Sequence, residues 1–211
     1  MLLALEGIAG AGKSTLRDRL LADAHGAGIP LGHIGQFSWL SLKATRTLIG
    51  LRAGHPAANS DQALAAAHRD LQLHARHNLT PARAKGPLVA DRLTLSTACL
   101  LALLHHGPIH EYVLPLAKVA AARADLTVLV TTGPELCRAR LARRPTARRF
   151  AEDPKTAVRL ADLYEHAAMA WTDITGLPVL RHPCTTETDL DLLAAACLER
   201  LREADRPAAR T

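Results

Sequence analysis

Short apolar runs alternate along the chain with longer stretches whose apolar positions recur every three to four residues. The runs at 2–5, 30–34, 87–90, 126–130 and 177–180 read as β-strands, with Pro30 tolerable as a first strand residue. Leu126-Thr127-Val128-Leu129-Val130 is the clearest of them. Helices are expected over 13–24, 41–51, 61–77, 96–104, 109–122, 134–144, 154–171 and 190–202. Ser60 is a fitting N-cap for the helix at 61, and Pro134 suits a first helical turn. Strands that alternate with helices predict an α/β fold with a parallel sheet covered on both faces. No linker long enough to divide the chain is visible, so 1–205 read as a single domain and 206–211 as a flexible tail.

Composition narrows the picture. A chain of 211 residues with 48% apolar and 22% charged positions has the material for a folded core, which excludes general disorder. Aromatic residues reach only 3%, too few for a surface that stacks single-stranded nucleic acid. The net charge of +6 comes with arginines crowded into 138–149 rather than spread as a stripe. That suits a small polyanion and argues against a nucleic-acid polymer. Four cysteines without a CxxC pair oppose a disulfide framework or zinc knuckle and fit a reducing cytoplasm. The opening residues turn acidic at Glu6, too soon for a signal peptide, and no apolar run spans a membrane. His74 with His77, and His105 with His106, lack a third ligand at metal spacing and read as solvated helix histidines.

Gly7-Ile8-Ala9-Gly10-Ala11-Gly12-Lys13-Ser14 matches GxxxxGK[ST] between an apolar strand and a helix. Glycines let backbone N–H groups turn inward around phosphate oxygens, and the helix N-terminus adds its dipole. Gly7, Gly10, Ala11, Gly12, Lys13, Ser14 and Thr15 are therefore the expected contacts to ATP. Lys13 would reach the β and γ phosphates, and the Ser14 hydroxyl would ligate Mg²⁺. Asn59 and Asn78 are not followed by lysine, so the base reader of a GTP switch is missing. Asp173-Ile174-Thr175-Gly176 matches DxxG too late in the chain to act as a switch. The strand at 126–130 ends in Thr131-Thr132-Gly133 instead of an acid pair, which disfavours an ATPase motor.

Taken in order, five segments resemble the thymidylate kinase-like family of nucleotide and nucleoside kinases. They are Glu6 to Thr15, Ala66-Ala67-His68-Arg69, Pro87 to Arg92 with Ser96-Thr97, Asp125 to Val130 with Pro134-Glu135, and the arginine-rich 138–149 in place of a lid. The resemblance covers nearly the whole chain. It implies a three-layer P-loop kinase fold, transfer of the γ-phosphoryl group of ATP, and a lid near 143–153. It also leaves room for a homodimer. Several positions depart from that pattern. No Asp or Glu occurs between Asp23 and Asp61, Leu93 replaces an aromatic, and Thr131 stands where an Asp is expected.

Ligands of such sheets sit beyond the carboxyl ends of the strands, where Glu6 and Asp91 fall. Asp91 would hold Mg²⁺ through water or accept a proton from an acceptor hydroxyl, and Arg92 would clamp an anionic acceptor. Gln62 and Arg69 lie two helical turns apart and share a face, so both are expected at the acceptor, Gln62 otherwise being an exposed amide. Arg144 and Arg148 of the lid would neutralise charge on the transferring group. Phe37 and Trp39 suit either stacking on an acceptor ring or core packing. The leading expectation is an ATP-dependent kinase acting on a nucleotide or nucleoside-like acceptor, with a phosphate preferred over a hydroxyl because Arg69 and Arg92 together would make a dianion site. The alternatives are a kinase acting on a small-molecule hydroxyl and a binding or regulatory ATPase.

Overall fold

A computed structural model describes residues 1–145 and 150–205. Five strands, β1 (Leu2–Glu6), β2 (Gly32–Gly35), β3 (Leu88–Asp91), β4 (Leu126–Val130) and β5 (Val179–His182), form one sheet of order β2-β3-β1-β4-β5. All neighbours are parallel, with Leu5 opposite Asp91 on one side and Val128 on the other. β1 and β4 are buried along their whole length, which explains unbroken apolar runs where a half-exposed strand would alternate. Helices cover both faces. The helices are α1 (Lys13–Gly26), α2 (Leu42–Arg52), α3 (Ser60–His74), α4 (Thr80–Arg83), α5 (Thr94–His105), α6 (Ile109–Ala117), α7 (Pro134–Ala142), α8 (Pro154–Thr175) and α9 (Glu187–Asp205). α1 packs on α9, while α5 packs on α6 and α8. Among the described residues no helix is long and apolar enough to cross a membrane.

The architecture is the expected one: three layers around a five-stranded parallel sheet. Chain reversal at β1, whose neighbours β3 and β4 lie on opposite sides, opens a crevice at its carboxyl end. The loop after β1 occupies that crevice.

Element boundaries differ in ways that side chains explain. α3 is capped by Asn59, whose Oδ1 accepts from the Gln62 N–H at 2.8 Å, so Ser60 already lies inside the helix. Beyond His74 the chain widens into a π-helical stretch, Ala75–Leu79, before α4. α6 carries Pro115 and stops at Ala117, leaving Ala120–Ala122 as a separate 3₁₀ turn. α9 begins at Glu187 because Asp189 accepts from the N–H groups of Thr185 and Thr186 while Thr186 Oγ1 accepts from Asp189 N–H. β5 lies two residues later than its apolar run suggests, after Thr175 Oγ1 takes up the Leu177 N–H.

Candidate functional site

The loop between β1 and α1 is shaped by its glycines. Gly7, Gly10 and Gly12 have φ of 132°, 81° and 109°, the left-handed region that favours glycine. A Cβ on Gly7 would sit 2.6 Å from the Val130 carbonyl oxygen, and one on Gly10 would sit 2.6 Å from that of Cys137. The loop's carbonyl oxygens are taken up by the protein itself. Arg92 Nη1 donates to Gly7 O at 3.0 Å, Lys13 Nζ to Ile8 O at 2.6 Å, Arg140 Nη1 to Gly10 O at 3.4 Å, and Thr132 Oγ1 to Ala11 O at 2.8 Å. With these oxygens engaged, the orphan N–H groups at the start of α1 are left for an anion. Burial holds the Lys13 ammonium well below its ordinary pKa, and the charge of Arg92 adds to this. A phosphate beside it would restore the charge.

A cavity of about 720 Å³ extends from this loop. Gly10, Gly12, Lys13, Ser14 and Thr15 line one part, whereas Gly7 and Ala11 are buried behind it. On the far side lie Gln36, Phe37 and Trp39 after β2, Arg52 at the end of α2, and Phe150 with Glu152. Asp91 and Arg92, from the end of β3, lie between. Phe37 and Trp39 meet edge to face, 5.0 Å between centroids, and the Arg52 guanidinium lies 5.9 and 6.0 Å from their ring centres. Phe37 is buried and Trp39 is 43% exposed, and both line the cavity.

Asp70 sets this loop. Its buried carboxylate accepts from Ser38 N at 3.0 Å, Ser38 Oγ at 2.6 Å and Trp39 N at 3.2 Å. Trp39 takes a φ of 58°, unusual for a bulky side chain. One turn further along α3, the buried His74 bonds Gly35 O through Nε2 at 3.0 Å and Asn78 Nδ2 through Nδ1 at 2.9 Å. A ring that donates from Nε2 and accepts at Nδ1 is neutral, and burial lowers its pKa. His74 is therefore not a solvated helix histidine, although His77 is exposed.

Arg69 and Gln62 are exposed on α3 and do not line the cavity. Helical phase is the reason: Asp70, one residue on, turns toward the loop after β2, which points Arg69 away. Arg92 lines the cavity but is a strut. Its Nη1 serves Gly7 O, Ser96 Oγ at 3.1 Å and Tyr164 OH at 2.7 Å. Burial disfavours the guanidinium charge, and Tyr164, Glu6 and Asp91 more than offset this, so its pKa is raised. Glu6, completely buried, accepts from the N–H groups of Leu93, Leu95 and Ser96 and from Ser96 Oγ, which caps α5. Its pKa is raised by burial.

Asp91 is partnered by Arg17, Nη1 to Oδ2 at 2.8 Å, with both side chains 22% exposed. Arg17 escaped the sequence reading, although its position four after Lys13 places it on the same side of α1. Arg140, expected as part of the arginine-rich 138–149 segment, instead ties the phosphate loop to Thr185 O at 3.2 Å. Arg144 lines the cavity, while Arg148 and part of the lid, 146–149, lie outside the described residues. Residues 206–211 lie outside them as well. Ser14 and Asp91 are the candidates for Mg²⁺; among the described residues there is no cluster of three or more His, Cys, Asp or Glu side chains able to hold a metal. Comparison with protein-family models finds no match, and comparison with curated proteins finds none either. The chain has the broad architecture of a P-loop nucleotide-binding protein: a parallel α/β sheet with the glycine-rich loop at the carboxyl end of its central strand.

Proposed function

We propose that this chain is an ATP-dependent phosphotransferase whose acceptor group is the hydroxyl of a small molecule. The observation that carries the reading is the single cavity joining the phosphate loop to the carboxylate at the end of β3. The loop accommodates a triphosphate, with its carbonyls held back and α1 behind it. Asp91 stands where the acceptor would meet the donor. Arg17 holds one of its oxygens and leaves Oδ1 to receive a proton.

Transfer then balances simply. The acceptor oxygen bonds to the γ-phosphorus, the bond from that phosphorus to the bridging oxygen breaks, ADP leaves, and the hydroxyl proton passes to Asp91. Lys13 and Arg144 line the path of the transferring group. Ser14 would hold Mg²⁺, which would neutralise phosphate charge when bound.

A hydroxyl acceptor is favoured over a phosphate because the residues expected to clamp a dianion are placed otherwise. Arg69 faces solvent, and Arg92 Nη1 is shared among three protein acceptors. The nucleotide-kinase resemblance bears on the donor half of the site and leaves the acceptor half open. ADP release across a panel of alcohols and nucleoside monophosphates, for wild type and D91N, tests the proposal. Alcohol-stimulated turnover that D91N reduces at least 100-fold is expected. Stimulation by monophosphates alone would restore the phosphate reading. ATP hydrolysis that no acceptor stimulates would point to a binding or regulatory ATPase.

A further inference from the structure

The chain holds two tyrosines, Tyr112 and Tyr164, and each is only 3% exposed. Tyr112 packs in the core away from the cavity, whereas Tyr164, on α8, lines it. The Tyr164 hydroxyl lies 2.7 Å from Arg92 Nη1 and 2.7 Å from Ser96 Oγ. Counting donors fixes the order of the hydrogens. Ser96 gives its one hydroxyl hydrogen to Glu6, and Arg92 can only donate, so Tyr164 donates to Ser96 Oγ and accepts from Arg92. Burial raises the Tyr164 pKa, which keeps that hydrogen in place.

The same guanidinium nitrogen donates to Gly7 O at 3.0 Å, at the entrance to the phosphate loop. Arg92 reaches that oxygen from a backbone with φ of 70°, a left-handed conformation that persists only where surrounding contacts over-determine it. The buried Glu6, of opposite charge, draws the guanidinium toward itself. Ser96 and Tyr164 stand between the two, and their hydroxyls link the carboxylate to the guanidinium. Deleting the Tyr164 hydroxyl would leave space beside the guanidinium and free it to swing toward Glu6. Gly7 O would then lose its donor, and the N–H groups that follow would lose the direction that a phosphate needs.

We infer that Tyr164 is a positioning residue for the nucleotide: through Arg92 it holds the start of the phosphate loop in its phosphate-binding shape. This rests on the nucleotide half of the proposed function and needs no acceptor.

The two tyrosines make a matched comparison for the test. Y112F and Y164F delete the same atom at equal burial, so a merely structural loss would lower Tm in both and leave nucleotide binding alone. The full chain is titrated by calorimetry with the non-hydrolysable ATP analogue AMP-PNP and Mg²⁺. Y164F is expected to weaken binding about 10-fold, and Y112F by less than about 2-fold. In an R92M background, Y164F should add less than about 2-fold, because the residue it acts through is gone. Amide exchange of the nucleotide-free chain gives a second readout that does not depend on R92M folding. Exchange at residues 7–14 should quicken in Y164F and not in Y112F. Equal losses of affinity in the two tyrosine variants, full additivity with R92M, or unchanged loop exchange in Y164F would overturn the inference. The two readings fail separately. A wild-type chain that binds AMP-PNP, loses about 10-fold in Y164F and transfers to no acceptor supports the role of Tyr164 and refutes phosphotransfer. Acceptor-stimulated ADP release with unchanged AMP-PNP affinity in Y164F supports phosphotransfer and refutes that role.

Discussion

Arg17 Nη1 lies 2.8 Å from Asp91 Oδ2, linking the first helix to the end of β3. In the proposed reaction the pair would leave one carboxylate oxygen for proton transfer and fix its direction. In R17A, Asp91 should lose that orientation. We expect kcat to fall about 10- to 100-fold with nucleotide affinity changed less than 3-fold, and R17K to recover part of the loss. Steady-state kinetics with separate nucleotide-binding titrations would check this. Loss of nucleotide affinity with kcat intact would show that Arg17 serves the donor instead.

Lys13 pulls stability and chemistry in opposite directions. Its ammonium is buried, and burial lowers its pKa, so the folded state disfavours the charged form at neutral pH. K13M keeps the length of the side chain without the charge. It should reduce turnover by at least 100-fold while leaving Tm unchanged or raising it by a few degrees. A calorimetric scan together with a turnover assay separates the two effects. A large drop in Tm would mean that the Ile8 contact matters more than the burial of charge.

Releasing the loop after β2 should affect the acceptor more than ATP. D70N keeps the shape of the side chain but replaces one acceptor oxygen with a donor facing Ser38 or Trp39. We expect the acceptor KM to rise about 10-fold, with the ATP KM changed less than 2-fold. Equal increases in both would place Asp70 among residues of general stability.

The neutral His74 ring predicts a pH dependence of folding. Its folded pKa lies below the ordinary 6.5, so the unfolded chain binds the proton more tightly. The contribution of His74 is full above about pH 6.5 and declines as the pH falls below it. Tm should therefore drop between pH 7.5 and 5.5, with a shallower slope in H74Q, which can still donate to Gly35 O. Identical slopes would assign the dependence to other groups.

The sheet and the phosphate loop were legible because their signals are local. An apolar run buried on both faces looks the same wherever the strand sits, and eight consecutive residues carry the loop motif. The acceptor half was not, because its decisive contacts are long-range. Glu6 caps α5 from a position 87 to 90 residues earlier, so α5 starts two residues before its local pattern suggests. Arg17 and Asp91 are 74 residues apart. Arg69 was legible as a cation on α3, but a single step of helical phase gives the inward position to Asp70.

The four donors that engage the phosphate-loop carbonyls come from separate parts of the chain: Lys13 from α1, Arg92 from the turn before α5, Thr132 from the turn after β4, and Arg140 from α7. Occupancy of the loop is consequently coupled to segments that are remote in sequence. A nucleotide that binds only the native loop makes every opening that disrupts it rarer by its own binding free energy. Amide hydrogen exchange should accordingly slow not only in the loop but also around Arg92, Thr132 and Arg140 when nucleotide is added. The chain would then sense its donor as a cooperative unit spanning the centre of the sheet.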